Sequence, residues 1–574
     1  MVRVLVLTAA LGAAVAILVG LALPPARLIP PASVDDGSVG GAFHVHTNRS
    51  DGRSSPEEIA AIAARAGLRF VVFTDHGDGT RQPDPPSYRS GVLCLDGVEV
   101  STTRGHVLAL GLPTSPFPLG GEPRDVLEDI HRFGGFGVAA HPDSPKPELQ
   151  WGDWTAPIDG LEIVNLDTAW RVSVASAGWD AKKRLLRALL SYPFRPSEAI
   201  AGLLTDRPAL VEQWRGLSDT RVVALVGGGD VHARLALAGD NEPRTSAGTL
   251  ALPSYEAVFR TMSLRIKPTH TLSGDAADDA RLVLDAIRRG RGYVALDAVM
   301  EQPSLSFTAT NRAGTAIESE TLEVNGPLTV NVKTNAPPTF TTTIWRDGEI
   351  LVSEPSAPQL IRVDTERPGV YRVDVRATDR HSATPWITSN PVYVRRPAMV
   401  PVPQARPAGR RRRSLFDART AADWRTEAAA DSVVAFDVGS TTASNRELRV
   451  RWGLPRGKGD NQYAAVVTDI PEGLSAFDRI AFSARTERPM RLSVQLRIAV
   501  APGRIHRWRR SVYVDRATTP HTVFFDDFVL ADPRAPVALD LAQVHSVMFA
   551  VDTTNAAPGS SGRLWLSDVS LQGR

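Results

Sequence analysis

The segment Phe43-His44-Val45-His46-Thr47-Asn48-Arg49-Ser50-Asp51-Gly52 carries two imidazoles two residues apart and a carboxylate five residues further on. Its apolar approach, Gly41-Ala42-Phe43, predicts a strand, and on a strand residues i and i+2 share a face. His44 and His46 are therefore expected to project together, with Asp51 returning on the following loop. Neutral imidazole and carboxylate are the ligands that zinc, iron and manganese accept. Taken alone, the doublet fits a half-exposed strand as well as a metal site. The other strand ends decide between them.

The same residue types close other apolar runs. Phe70-Val71-Val72-Phe73 reads as a strand buried on both faces and ends in Thr74-Asp75-His76. Leu93 to Val98 leads into Glu99, and His106 opens the next run after an Arg104-Gly105 turn. Phe136 to Ala140 ends in His141-Pro142, Leu161 to Val164 ends at Asn165, and Arg221 to Val226 runs into Gly227-Gly228-Gly229-Asp230-Val231-His232. Helix punctuation lies between them: a serine cap, Pro56, early acids at Glu57 and Glu58, and Gly67 at the end. Strands alternating with helices, with polar groups at strand ends, describe a parallel α/β barrel or open sheet whose functional groups gather on the carboxyl face. His131 and His270 fall outside the pattern and read as ordinary hydrogen-bonded residues. The three glycines read as close packing rather than as a phosphate cradle.

In this order, His44-x-His46 with Asp51, Thr74-Asp75-His76, Glu99, His141-Pro142 and Asp230-x-His232 resemble the PHP (polymerase and histidinol phosphatase) metallohydrolase family over residues 38–300. The resemblance implies a distorted (β/α)7 barrel holding two or three divalent metal ions, of manganese, zinc or iron type. It places His44, His46, Glu99 and Asp230 on a first metal. Glu99 would bridge to a second metal bound by His141 and His106, and Asp51, His76 and His232 would hold a third. Glu99, Asp230 and Asp75 are the implied catalytic acids, Asp75 orienting a ligand rather than binding metal. Gly229 departs from the serine common in the family. Arg49 and Arg104, on loops beside ligand positions, are the candidates for binding substrate phosphate. The segment from Trp151 to Asp219 exceeds a minimal connection and is expected to cap the site, with Trp151, Trp154 and Trp170 either walling a pocket or forming its small core.

The whole chain bounds the reading. Its 574 residues exceed one core, and a net charge of +2 gives no pull toward nucleic acid. The single cysteine, Cys94, excludes an intramolecular disulfide and cysteine-based zinc modules. Val4 to Leu23 contains no charge and follows Arg3. Residues 1–30 are thus expected to be a signal peptide or, preferably, a transmembrane anchor, with the remainder exported to a periplasmic or cell-surface location.

After residue 300 the composition turns to Thr, Val and Pro with alternation. Short strands such as Leu328–Val332 and Tyr371–Val375, separated by Arg346-Asp347-Gly348 and Arg367-Pro368-Gly369, predict an immunoglobulin-like β-sandwich over 301–398. Residues 399–413 read as a Pro/Arg-rich linker. Residues 414–574 resemble a galactose-binding-type jelly roll, where Trp452 or Trp508 would stack on carbohydrate or else belong to the core. The function expected is an exported PHP-class phosphoesterase acting on a small phosphate ester. Its alternatives are a carboxyl-ester or carbamate hydrolase on the same site, and a non-catalytic cell-envelope protein that binds carbohydrate.

Overall fold

Side chains decide the first strands. In the computed structural model, Val39–Val45 (β1) and Phe70–Phe73 (β2) are almost wholly buried, as continuous apolar runs must be when both faces are covered. The helix between them, Pro56–Arg65 (α1), begins with a complete capping box: Ser55 accepts from the Glu58 amide, and the Glu58 side chain accepts from the Ser55 amide. The structure describes residues 20, 23–30, 35–236, 249–356, 360–378, 384–396, 409, 411–416, 421–440, 446–457, 462–501, 504–531 and 537–573. The predicted anchor therefore lies mostly outside the described residues, as does most of the 399–413 linker. Among the described residues no helix is long and apolar enough to cross a membrane.

The chain divides into two units: residues 1–77, 82–113 and 130–399, and residues 78–81, 114–129 and 400–574. The architecture is mixed α/β with a large β-rich part. In the first unit β1 and β2 continue through Ser87–Arg89 (β3) and Val92–Asp96 (β4), with β1, β2 and β4 parallel. A second sheet runs in order through Val98–Thr102 (β5), Gly105–Leu110 (β6), Phe136–Ala140 (β7), Gly160–Asn165 (β8) and Ala224–Gly228 (β9).

The single run expected from Leu93 to Glu99 is thus two strands in two sheets. The break is Gly97, where a Cβ would stand 2.7 Å from Leu110 Cδ2 and 3.0 Å from the Ala109 carbonyl. β5 and β6 are antiparallel rather than parallel, because the short turn joining them leaves no length for a crossover, and β6 is antiparallel to β7 as well. Backbone hydrogen bonds join both edges of the second sheet to β1 and β2 inside the first. Gly97 and Glu99 donate to Phe73 and Asp75 on one side, and Gly229 donates to Phe43 while His46 donates to Val231 on the other.

Four helices fill the long connection between β8 and β9: Leu166–Ala175 (α2), Trp179–Ser191 (α3), Pro196–Ala201 (α4) and Pro208–Ser218 (α5). Strands Ser263–Ile266 and Gly292–Ala295 extend the first sheet beyond β1. That sheet does not stop at residue 300, for Tyr293, Val294 and Ala295 pair with Ser389, Thr388 and Ile387. Asn390 secures the junction by donating to the Leu225 carbonyl (2.9 Å) and accepting from the Leu225 amide (2.7 Å). The Arg346-Asp347-Gly348 turn closes the hairpin of Phe340–Arg346 with Glu349–Pro355. Asp347 and Gly348 both have positive φ, the geometry whose twist matches paired strands.

In the second unit two six-stranded sheets enclose an apolar core that includes Val450, Leu566, Phe482, Val466 and Phe549, forming a β-sandwich. Trp452 and Trp508 are buried in that core and offer no exposed stacking platform. The arginine run that closes the expected linker contributes to Arg411–Ser414, a strand paired with Ser561–Gly573. Replacing Asn390 by Ala would leave the Leu225 amide and carbonyl buried without these partners. The variant is expected to lose about 2 kcal/mol, read as a lower first transition in thermal unfolding of the full chain.

Candidate metal centre

Strand ends bring the ligand-type side chains onto one carboxylate. Glu99, on β5, is almost wholly buried. Its Oε2 lies 3.3 Å from His44 Nε2, 3.2 Å from His46 Nε2 and 3.3 Å from His76 Nδ1. Its Oε1 lies 2.6 Å from His106 Nδ1 and 2.9 Å from His141 Nε2. Asp230 Oδ1 approaches His44 Nε2 at 3.3 Å and His46 Nε2 at 3.4 Å. Asp51 Oδ2 meets His232 Nε2 at 3.2 Å and His76 Nε2 at 3.5 Å.

Local backbone geometry explains how distant residues arrive here. His106 reaches Glu99 because the β5–β6 hairpin sets Ser101 opposite His106, so Glu99 is its diagonal neighbour on the same face. His44 and His46 do converge, but not by simple alternation. His44 has φ +62°, and the β1–β2 register shifts between Ala42 and Val45. His141 (φ +31°) and Asp230 (φ +46°) share this left-handed backbone, which costs a non-glycine residue about 1–3 kcal/mol and gathers at functional sites. Gly52 closes the Asp51 loop where a Cβ would collide with the His46 carbonyl.

Three groups of donors each fit within 4.8 Å: His44, His46, Glu99 and Asp230; His46, Asp51, His76 and His232; and His76, Glu99 and His106. A neutral imidazole has one lone-pair nitrogen, so His46 and His76 can each serve one cation at a time. Two observations test whether these residues fit divalent metals. His44 Nε2 and His46 Nε2 stand 3.1 Å apart, and buried His46 Nδ1 makes no hydrogen bond, its nearest acid being Asp51 Oδ1 at 3.4 Å. A cation accepting lone pairs resolves the crowding of nitrogens, and the mixed imidazole–carboxylate set suits zinc, iron or manganese.

The surrounding residues fix the rings. His44 Nδ1 donates to Glu162 Oε1 (2.7 Å) and His141 Nδ1 to the Leu149 carbonyl (3.1 Å), leaving each Nε2 aimed into the cluster. Glu162 also accepts from the His141 amide (2.6 Å) and from Asn165 Nδ2 (2.8 Å). A Cβ on Gly228 would land on this carboxylate, which is why glycine stands there. Tyr255 donates from its hydroxyl to the His46 carbonyl (2.8 Å) and accepts from the Arg53 amide (3.0 Å). Sequence reasoning missed both residues. A carboxylate inside the apolar run Leu161-Glu162-Ile163-Val164 was the available signal for Glu162, and Tyr255 left none.

The other candidates sit elsewhere. Asp75 accepts from the Thr47 amide (2.8 Å), the Thr47 hydroxyl (2.7 Å) and the Ser50 hydroxyl (2.6 Å), so it holds the 47–51 loop and stays off the ligand atoms. Arg49 is engaged by Asp84 and Asp96. Arg104 occupies the β5–β6 turn beside Gly152. His131 pairs with Asp159 (2.6 Å), and His270 is exposed.

Burial works against charge throughout the cluster, and the neighbours outweigh it. Burial alone would raise Glu99, yet His44, His106 and His76 hold it well below the usual carboxylate range. Asp230 is likewise held well below that range, chiefly by His44. Burial alone would lower the histidines. Asp230, Glu162 and Glu99 instead raise His44 well above its ordinary value, Glu99 raises His141 to about 9, and Asp51 raises His232 to about 9.

No family model matches the sequence. An uncharacterized protein of Methanocaldococcus jannaschii is 30% identical over 138 residues, spanning 21% of this chain and 80% of that protein. The chain belongs to the same family as that archaeal protein. A 3′,5′-nucleoside bisphosphate phosphatase of Chromobacterium violaceum is 33% identical over 81 residues, 13% of this chain and 28% of the phosphatase, so the chain spans under a third of that relative's length. Among solved structures, a two-domain protein of Bacteroides vulgatus containing a predicted PHP-like metal-dependent phosphoesterase aligns with 64% of this chain and 99% of its own, at 12% identity and a TM-score of 0.28. A family 11 carbohydrate-binding module of a Clostridium thermocellum cellulase aligns with 29% of this chain and 95% of its own, at 17% identity and a TM-score of 0.24.

In the metal-free protein His141 and His232 hold protons that the unfolded chain gives up above its ordinary value of 6.5. Their stabilisation is complete below about 6.5 and is lost as pH rises through about 9. A pH series of melting temperatures on chelator-treated protein should fall across that window. Metal must displace the same protons, so calorimetric titration with manganese at pH 7 should release protons, and affinity should climb with pH. Glu162→Gln is expected to weaken metal affinity about 10–100-fold by loosening His44 and the His141 amide.

Proposed function

We propose that residues 38–300 form a PHP-class metallohydrolase with a distorted (β/α)7 barrel, and that its reaction is hydrolysis of a phosphate ester. The observation that carries this reading is the convergence of His44, His46, Asp51, His76, His106, His141, Asp230 and His232 around Glu99, from strand ends spread over most of the domain. The backbone hydrogen bonds at both sheet edges agree with a closed barrel. The Chromobacterium relative's name supplies the phosphoester class, and puts 3′,5′-nucleoside bisphosphates among the substrates to be tried.

Divalent cations bound here would supply Lewis-acid charge for phosphoryl oxygens and a nucleophile from water near neutral pH. The chain's part is positional and electrostatic. Glu162 and the Leu149 carbonyl fix which nitrogen of His44 and His141 faces inward. We assign the acceptance of a proton from attacking water to Asp230 or Glu99, the two buried carboxylates of the cluster. Asp75 and Tyr255 hold the loop and strand end that carry Asp51 and His46, so they are positioning residues. We assign the export reading and any carbohydrate binding to no residue of this site.

The test is product release by the manganese- or zinc-loaded protein from phosphate monoesters, diesters, 3′,5′-bisphosphates and aryl esters. Phosphate release is expected, with His44→Ala reducing it more than about 100-fold and Asp75→Asn reducing it less. Cleavage confined to aryl esters would replace the phosphoesterase by an ester or carbamate hydrolase. Bound metal with no cleavage would favour a binding protein.

A further inference from the structure

Beside the metal centre, the helices between β8 and β9 leave a cavity of about 640 Å³. Asp230 and His232 line it, together with Leu166, Trp170, Ile200 and Leu203. Its size is that of a small-molecule pocket; apolar side chains make up most of its walls, and Lys146, Asp167, Arg171 and Arg234 are the other charged groups that line it. Leu166, Ile200 and Leu203 are buried, so the wall is built into the packed helices. At the rim, Val174 (45% exposed) and Leu189 (49%) present apolar side chains to solvent.

The rim continues into an unusual surface. Along α3 and the turn after it, Trp179, Leu186, Leu190 and Phe194 are each more than half exposed. Lys182 and Lys183 are exposed on the same helix, Lys183 lying over the Trp179 ring at 5.6 Å. Large apolar side chains flanked by lysines are the composition of a helix that rests in a lipid interface. The uncharged stretch from Val4 ends beside this helix: Arg187 donates to the Leu23 carbonyl (3.1 Å), and Arg195 donates to the Pro24 carbonyl.

We propose that this cavity is a substrate subsite for the hydrocarbon portion of an amphiphilic phosphoester whose phosphoryl group reaches the metal centre at Asp230 and His232. The inference deepens the phosphoesterase reading and rests on it for the phosphoryl half alone. The apolar half rests on the cavity. Two sources can present such a molecule: free solution, or a lipid surface on which the exposed face of α3 lies.

The test uses the full chain and non-hydrolysable n-alkyl phosphonates from methyl to octyl, with binding read by calorimetry. Each methylene entering the cavity should tighten binding severalfold, giving about 100-fold or more from butyl to octyl. Ala188→Trp, which fills the cavity, should flatten this dependence and leave methyl phosphonate binding unchanged. Leu189→Asp at the exposed rim, a position tolerant of change, should weaken octyl binding and spare methyl. Affinity independent of chain length in the unaltered protein, or a dependence that survives both substitutions, overturns the proposal.

The n-alkyl alcohols separate the two halves. If they raise the melting temperature with chain length as much as the phosphonates do, the hydrocarbon subsite stands and the phosphoryl reading fails. For the source, a solvatochromic dye is placed on Leu186→Cys, Cys94 being buried. A blue shift on phosphatidylcholine–phosphatidylglycerol vesicles, absent for the same dye on Glu212→Cys, assigns the lipid surface. No shift at Leu186 overturns that source and assigns the free amphiphile.

Discussion

Burying Glu99 is the constraint on which the rest of the first unit depends. An ionised carboxylate removed from water costs several kcal/mol unless positive charge or hydrogen bonds replace the lost hydration. Asp230 and Glu162 are buried close by, so the cluster holds three such groups. The compensation comes from imidazoles, which answer the charge as protonated rings or by sharing cations with the carboxylates. Either way, every strand that ends here must deliver its side chain to within about 3 Å of an oxygen. The fold is arranged to do so: both edges of the second sheet are bonded to strands of the first, and Glu99, His46 and Asp230 stand at these junctions.

Meeting that demand strains the backbone. His44, His141 and Asp230 all adopt left-handed conformations that ordinary side chains avoid. Such residues persist only where neighbours over-determine them. Glu162 is the main restraint, because one carboxylate holds the His44 ring, the His141 amide and Asn165 together. Tyr255 does the same for β1's end and the Asp51 loop, and Asp75 locks that loop from the other side. The converging side chains and their supports therefore form one hydrogen-bonded unit, and a change in a support is passed on to the geometry of the cluster.

This division between ligands and supports also explains what the sequence disclosed. Most of the converging side chains were legible because they stand at the ends of apolar runs, where a histidine or acid is chemically conspicuous. Glu162 was less so, since it sits within its run and looks like one polar residue on a strand. Tyr255 lies over two hundred residues from His46, and an aromatic in a short helix reads as core. The strand read from Leu93 to Glu99 hid a change of sheet, because the clash that makes Gly97 necessary involves Leu110 and cannot be seen locally. The pairing of Tyr293–Ala295 with Ile387–Ser389 is made by backbone groups, which carry no residue signature, so the continuity of the sheet past residue 300 was invisible.

A cluster fixed this rigidly has little freedom to choose substrates. On the phosphoesterase reading, its donors are committed to cations, to one another and to their supports, and what they recognise is a set of oxygens common to many esters. Discrimination must then come from surfaces that touch the rest of the substrate. The helices between β8 and β9 are the element placed to provide it. They follow Asn165, which is tied to Glu162, and end just before the strand that delivers Asp230. They can therefore vary in length and composition while both ends stay anchored to the centre. The apolar wall of Leu166, Trp170, Ile200 and Leu203 is built from this connection, as is the exposed face of α3. On that reading chemistry and selectivity are separated along the chain, the first held by strand ends and the second by the helices between two of them.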